Sequence, residues 1–319
     1  MTSGLSVRDL TVTFPVAGAR HRLTAVDAVT LTVRPGETHG LVGESGCGKS
    51  TLARSIVGLT VPDVGEVAIG DQTLPRRRSH DEQRRVQMVF QDPISALNPR
   101  LRVRDVLTEL LRVHRMVPRS AVEERCRELV AAVGLPADVL DAWPGSLSGG
   151  QRQRVSIARA LALEPEILIA DEVTSALDVS VQAQVLRLLL DLQARLGLTV
   201  LFISHNLAVV RQICDRVTVM YLGRIVETGP TEALYSDPQH PYTRLLLESV
   251  PRLDRVELPA AADTEAPDAA HLPGGCRFHP RCPLAAQVCL DSDPVLRDGP
   301  PDRAAACHFA WPQRTEEGT

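Results

Sequence analysis

The chain has 319 residues, 44% hydrophobic and 23% charged, a globular composition with room for one large domain and something smaller. With 35 basic against 39 acidic side chains the net charge is −4, which excludes a dominant electrostatic attraction to nucleic acid or anionic lipid. No apolar run reaches the ~20 residues of a bilayer span, and "MTSGLSVRDLTVTF" lacks the basic start and apolar core of a signal peptide, so a cytosolic protein is expected.

Alternating apolar residues predict strands over 5–14 and 25–33, and the uniformly apolar "THGLVG" (38–43) predicts a buried one. "GESGCGKST" (43–51) follows that strand, precedes a helix and fits G-x-x-x-x-G-K-[ST], the context in which a phosphate loop is credible. Gly43, Gly46 and Gly48 let the backbone curl so that its N–H groups face a β-phosphate, with Glu44, Ser45, Cys47 and Thr51 completing the loop. Lys49 neutralises the β/γ oxygens and Ser50 ligates Mg²⁺. The basic run "RRRSHDEQRR" (76–85) reads as a solvated loop, and "FQDP" (90–93) sets Gln91 at the end of an apolar strand.

Between Arg102 and Leu135 helical periodicity with charged faces runs on without a strand, which predicts a helical insert reaching to about residue 150. At its end "SLSGGQRQR" (146–154) puts Ser148, Gly149, Gly150 and Gln151 at a helix start, where unpaired N–H groups and the helix dipole favour an anion. A second phosphate-binding feature thus stands about a hundred residues after the first.

"EILIAD" (166–171) and "LTVLFIS" (198–204) are strands on either side of a long amphipathic helix, the alternation of a parallel α/β sheet. Four apolar residues lead into Asp171 and Glu172 at a strand's carboxyl end, where ligands gather in such sheets. Asp171 is placed to hold Mg²⁺, with Gln91 a further candidate ligand, and Glu172 to polarise an attacking water. His205, in "ISHN", closes a third strand, so several strands can converge on one γ-phosphate.

From 251 to 273 Pro, Ala and acidic residues predict a linker, and residues 274–319 form a small tail with Cys276, Cys282, Cys289 and Cys307 spaced C-x₅-C-x₆-C-x₁₇-C. Free cysteines are often small buried hydrophobes, but four in a segment with almost no core of its own suggest a group that holds it together. The spacing lacks the C-x₂-C pairs of common zinc sites, and four thiolates also suit a [4Fe–4S] cluster; iron–sulfur, zinc and an empty thiol tail are the alternatives.

The ordered set of 43–51, Gln91, "LSGGQ" (147–151), "ILIADE" (167–172), "SALD" (175–178) and His205 resembles the ATP-binding cassette (ABC) ATPases over residues 5–250. The resemblance implies a P-loop NTPase cassette over 1–250, with a mainly parallel sheet core, an antiparallel β subdomain and the helical insert. It also implies head-to-tail pairing, in which Ser148, Gly149, Gly150 and Gln151 close over ATP held by a second cassette's phosphate loop. Asp178 then communicates across the dimer, His205 contacts the γ-phosphate, Gln91 couples to a membrane partner and Phe14 stacks on adenine. Val173 stands where many relatives have Pro, and Asn206 where Asp is common; neither removes a chemical group.

"FQDPISALNPRLRV", "HPYTRLLLESVP" and "GCRFHPRCPLAAQVC" further resemble the ATPase subunits of oligopeptide/dipeptide importers, a group that includes nickel and metal-chelate importers. That implies a peripheral protein at the cytoplasmic face of the membrane, with a second ATPase subunit (a copy or a paralogue), two transmembrane permeases and an extracytoplasmic solute-binding protein, and no nucleic acid. Relatives with this tail hold an iron–sulfur cluster. A soluble ABC ATPase acting on ribosomes or DNA is the other class, but the second cassette or long coiled coil usual there is absent from the sequence.

Overall fold

The strands of the amino-terminal part pair antiparallel and alternate buried with more exposed side chains on either side of a bulge between Val7 and Leu10. β1 (Leu5–Pro15) pairs with β2 (Arg22–Val33), keeping Leu5, Val7, Leu10 and Val12 at 0–1% exposure. The structure is a computed structural model and describes residues 3–16, 18, 22–92, 96–175, 177–249, 272–300 and 302–311. Most of the expected linker, residues 251–271, lies outside the described residues. β3 (Thr38–Val42) is buried throughout and runs into α1 (Lys49–Ile56) through the glycine-rich loop. β4 (Val64–Ile69) and β5 (Gln72–Leu74) complete a four-stranded antiparallel sheet, in the order β2-β1-β4-β5.

The run 76–85 departs from its expectation as a loop. α2 (His80–Arg85) occupies its second half because Ser79 and Glu82 form a reciprocal capping box, Ser79 Oγ accepting from the Glu82 N–H and Glu82 accepting from the Ser79 N–H at 2.7 Å. Arg85 then pairs with Glu166. β6 (Val86–Val89) follows, and the helical insert appears as α3 (Val103–Val113) and α4 (Val122–Ala132), ahead of α5 (Gly149–Leu161).

β7 (Ile167–Asp171), α6 (Val179–Leu196), β8 (Thr199–Ile203) and α7 (Leu207–Ile213) continue the α/β alternation. β9 (Arg216–Tyr221) pairs parallel with β3, and β10 (Arg224–Pro230) turns back on β9 antiparallel. The parallel strands β3, β7 and β8 are buried along their whole length because both faces of the sheet are covered. Leu41, Leu201, Ile203, Ile167 and Ile169 face a core shared with the antiparallel sheet and α1. Val42, Val200, Phe202, Leu168 and Ala170 face a core shared with the helices. Among the described residues no helix is long and apolar enough to cross a membrane.

α8 (Thr231–Ser236) and α9 (Pro241–Glu248) close the cassette. His240 caps α9, its Nδ1 accepting from the Tyr242 N–H at 3.1 Å, and burial depresses its imidazole to about 3, so the ring is neutral. The described part of the tail is not an appendage without a core. α10 (Gln287–Asp291) precedes β11 (Arg297–Gly299) and β12 (Arg303–Ala305), and β12 pairs with β10, extending the large sheet to β11-β12-β10-β9-β3-β8-β7-β6. Phe278, 1% exposed, packs edge-on to Tyr221 and tilted against Tyr242. Burying such a ring is worth roughly 1.5–3 kcal/mol. Arg303 reaches the fully buried Glu227, whose carboxylate also accepts from the Gln239 and His240 N–H groups at 2.9 Å.

Candidate active site

The register of the parallel strands decides which residues meet. Leu41 pairs with Ile203, Ile203 with Asp171, and Ala170 with Val89, so β3, β8, β7 and β6 end level with one another. The residues that follow those ends, Gly43, Ser204–His205, Glu172 and Phe90–Gln91, therefore leave one edge of the sheet together, as expected for ligand sites in open α/β sheets.

The loop 43–51 is forced into its path by close backbone contacts. A Cβ on Gly43 would lie 2.1 Å from the Met220 carbonyl oxygen, and one on Gly48, whose φ is 107°, would lie 2.2 Å from that of Ala25. Only glycine fits at either position. Lys49 is 4% exposed, and its Nζ donates to the carbonyls of Gly43 at 2.7 Å and Glu44 at 2.8 Å, which draws the loop around the ammonium group. Cys47 is buried, and burial pushes its thiol up, so it fills space in neutral form.

Ser50, in the first turn of α1, donates its hydroxyl to Asp171 Oδ1 at 3.4 Å. Burial raises the Asp171 carboxyl above the usual range, against the lowering by that hydrogen bond. A buried carboxylate beside a hydroxyl fits a hard divalent cation, which would favour its ionised form; Ser50 and Asp171 would hold Mg²⁺ here. Gln91, the third candidate ligand, is placed elsewhere: its Nε2 donates to Glu172 Oε2 at 2.8 Å.

Glu172 adopts φ 46°, the left-handed region that non-glycine residues rarely occupy, and its N–H donates to the Ile203 carbonyl at 2.9 Å. Its Oε1 lies 3.3 Å from His205 Nδ1. Ser45, Gln91, Asp92, Glu172, Ser175 and His205 line an open cleft of about 570 Å³. A carboxylate held between an amide and an imidazole at such a cleft can accept a proton from water as it attacks phosphorus, beside the Lys49 ammonium.

The remaining sequence candidates stand outside this cleft's lining. Phe14 is a 38% exposed ring on β1, and Asp178 is the exposed residue preceding α6. Ser148 is exposed at the start of α5 in its own capping box, Oγ accepting from the Gln151 N–H at 3.2 Å and its N–H donating to Gln151 Oε1 at 2.9 Å. A Cβ on Gly150 would come 2.6 Å from Val181 Cγ1, so this glycine also permits close packing of α5 on α6.

In the tail Cys276, Cys282 and Cys307 are pushed up by burial, and each is raised further by the charge of neighbouring tail thiols. The Phe309 N–H donates to Cys307 Sγ at 3.4 Å. Among the described residues, however, no three His, Cys, Asp or Glu side chains form a group that could hold a metal ion, so the geometry gives the expected cluster, and zinc, no support. Two residues that the sequence reading passed over join the site: Arg281 and Tyr242 both bind Glu44.

The family model for the ABC transporter matches residues 26–175, and that for the oligopeptide/dipeptide transporter C-terminal region matches residues 226–289. A putative peptide import ATP-binding protein of Brucella abortus is 51% identical over 95% of this chain and 92% of its own length. A probable peptide ABC transporter ATP-binding protein of Sinorhizobium fredii is 46% identical over 97% of this chain and 90% of its own. Among solved structures, the dimeric post-hydrolysis state of the ATP-binding cassette MJ0796, bound to ADP and Pi, superposes with a TM-score of 0.64 at 29% identity, covering 71% of this chain and 98% of that one. CbiO1 of Clostridium perfringens, part of the ABC transporter complex cbiONQ, gives 0.64 at 27% identity, covering 73% of this chain and 90% of that one.

Proposed function

The chain belongs to the ATP-binding proteins of ABC transporters, and from that premise we propose that it powers peptide import by binding ATP between two cassettes, closing them, and hydrolysing it to release them. Its activity is that of an ATPase. The observation that carries the reading is the meeting of Lys49, Ser50, Asp171, Glu172, Gln91 and His205 at one sheet edge. Peptide is favoured over nickel as solute because the relatives cited above are named for peptide import. The proposed division is a cassette over 1–250 and a tail over 274–319, joined by a linker.

The proposed assembly places the chain at the cytoplasmic face of the membrane, beside a second ATPase subunit and beneath two permeases that receive solute from a binding protein outside. ATP sandwiched between two surfaces favours the assembled state over either surface alone, which couples nucleotide to closure. In vesicles carrying the permeases and both ATPase subunits, uptake of labelled peptide is expected to require ATP and the binding protein. Uptake of nickel in place of peptide would overturn the solute assignment.

For the tail we propose a [4Fe–4S] cluster on Cys276, Cys282, Cys289 and Cys307. Its support is the donor set alone, four cysteines within a short segment poor in large apolar residues. Anaerobically prepared protein is then expected to carry about four irons and four sulfides per chain. Stoichiometric zinc, or no metal, overturns the assignment, while the tail's pairing with β10 would still order it.

A further inference from the structure

The tail reaches the phosphate loop by two routes, one direct and one through a turn. Arg281, next to Cys282, donates Nη1 to Glu44 Oε2 and Nη2 to Glu44 Oε1, both at 2.9 Å, the two-pronged geometry that makes an arginine–carboxylate pair both strong and directional. The Arg281 side chain is only 8% exposed and stacks between rings, 6.0 Å from the centre of Tyr221 and 5.8 Å from that of Phe278. The Glu44 N–H donates to Tyr242 Oη at 2.8 Å, so Glu44 is fixed through its backbone as well as its carboxylate.

On the other flank Arg277, next to Cys276, donates to the Leu222 carbonyl and to Asp27. The following residue, Gly223, donates its N–H to the Cys47 carbonyl at 2.9 Å and accepts from the Asp27 N–H at 2.9 Å. The two arginines between Cys276 and Cys282 thus reach the beginning of the loop directly and its middle through one turn.

The contact to Glu44 bears on the chemistry because Lys49 Nζ donates to the Gly43 and Glu44 carbonyls. Wherever the Glu44 peptide goes, the phosphate-binding ammonium group must follow. A loop with three glycines in nine residues has much conformational freedom to lose on binding a nucleotide, and a clamp that removes that freedom beforehand raises affinity.

We propose that Arg281 is a positioning residue of the nucleotide site: through Glu44 it holds the phosphate loop in its curled form, so that ATP affinity depends on the docked tail. The proposal rests on the reading of residues 43–51 as the ATP site.

The test measures ATP binding to the full-length chain, with circular dichroism to verify folding. Arg281→Ala is expected to weaken ATP binding about tenfold, and in the assembled ATPase to raise KM for ATP more than it lowers kcat. Arg281→Lys, which keeps the charge and loses the fork, is expected to fall between Arg281→Ala and wild type. Glu44→Gln added to Arg281→Ala is expected to cost little more, since the pair is already broken. Affinities within about twofold of wild type for both Arg281 variants, or fully additive Arg281 and Glu44 effects, overturn the proposal. A wild-type chain that binds no ATP sinks the reading of the site itself, a separate failure.

Discussion

Glu172→Gln is expected to leave ATP binding intact and to lower hydrolysis in the assembled transporter by roughly the 10²–10⁴-fold that general acid–base groups contribute. The substitution preserves size, and the neutral amide can still sit between Gln91 and His205, which lie 2.8 and 3.3 Å from the present carboxylate oxygens. What it removes is the ability to take a proton from water. The left-handed backbone at Glu172, φ 46°, is held by the N–H bond to Ile203 and is unaffected by the exchange. Strain of this sort costs of order 1–3 kcal/mol and persists where the surroundings over-determine it, here between β7 and β8. Because bound ATP would no longer be consumed, the variant is expected to accumulate as a closed pair of cassettes, visible as an ATP-dependent shift in size-exclusion chromatography. Hydrolysis near the wild-type rate in the assembled transporter would remove Glu172 from its role.

The sheet edge was legible because two local signals coincide there. Uniformly apolar runs mark strands covered on both faces, and polar residues directly after them mark the edge where strands end; register in a parallel sheet then brings Gly43, Gln91, Glu172 and His205 together. The helix at 80–85 carries a local signal too, the capping-box spacing of Ser79 and Glu82, set within a run of arginines whose charge alone is that of a solvated loop. The order of the tail is not written locally. Its order rests on pairing of β12 with β10, on Phe278 in the aromatic cluster, and on Arg281 reaching Glu44 across 237 residues of sequence. Such long-range contacts leave no period and no spacing in a single sequence. The cysteine spacing, which was visible, speaks only of the thiols and not of what the segment between them packs against. Gly150 shows the converse: read as a phosphate donor, it also has to be small because Val181 lies against it.

Ser148→Arg is expected to separate the two halves of the nucleotide sandwich. Ser148 is exposed, and its cleft-forming counterparts Ser45, Glu172 and His205 line a cavity to which residues 148–151 contribute nothing. An arginine here therefore leaves the chain's own Lys49 and Ser50 untouched, and ATP binding by the isolated chain is expected to stay at the wild-type level. In the proposed dimer the same side chain meets the other cassette's bound nucleotide, replacing a small hydroxyl with a bulky group that holds the helix-start N–H donors away from it. Loss of one such oriented donor set is worth roughly 10²–10³-fold in turnover, the scale expected for the assembled ATPase. The substitution also removes the Ser148–Gln151 capping box, at a cost of about 1 kcal/mol to α5, and Ser148→Ala supplies the control because it loses the cap without adding bulk. The alanine variant is expected to melt as early as the arginine variant yet, keeping the helix-start N–H groups within reach of the nucleotide, to retain more of the assembled activity than the arginine variant. Loss of ATP affinity by the isolated Ser148→Arg chain would mean that the serine serves its own phosphate loop, and the head-to-tail arrangement would have to be given up.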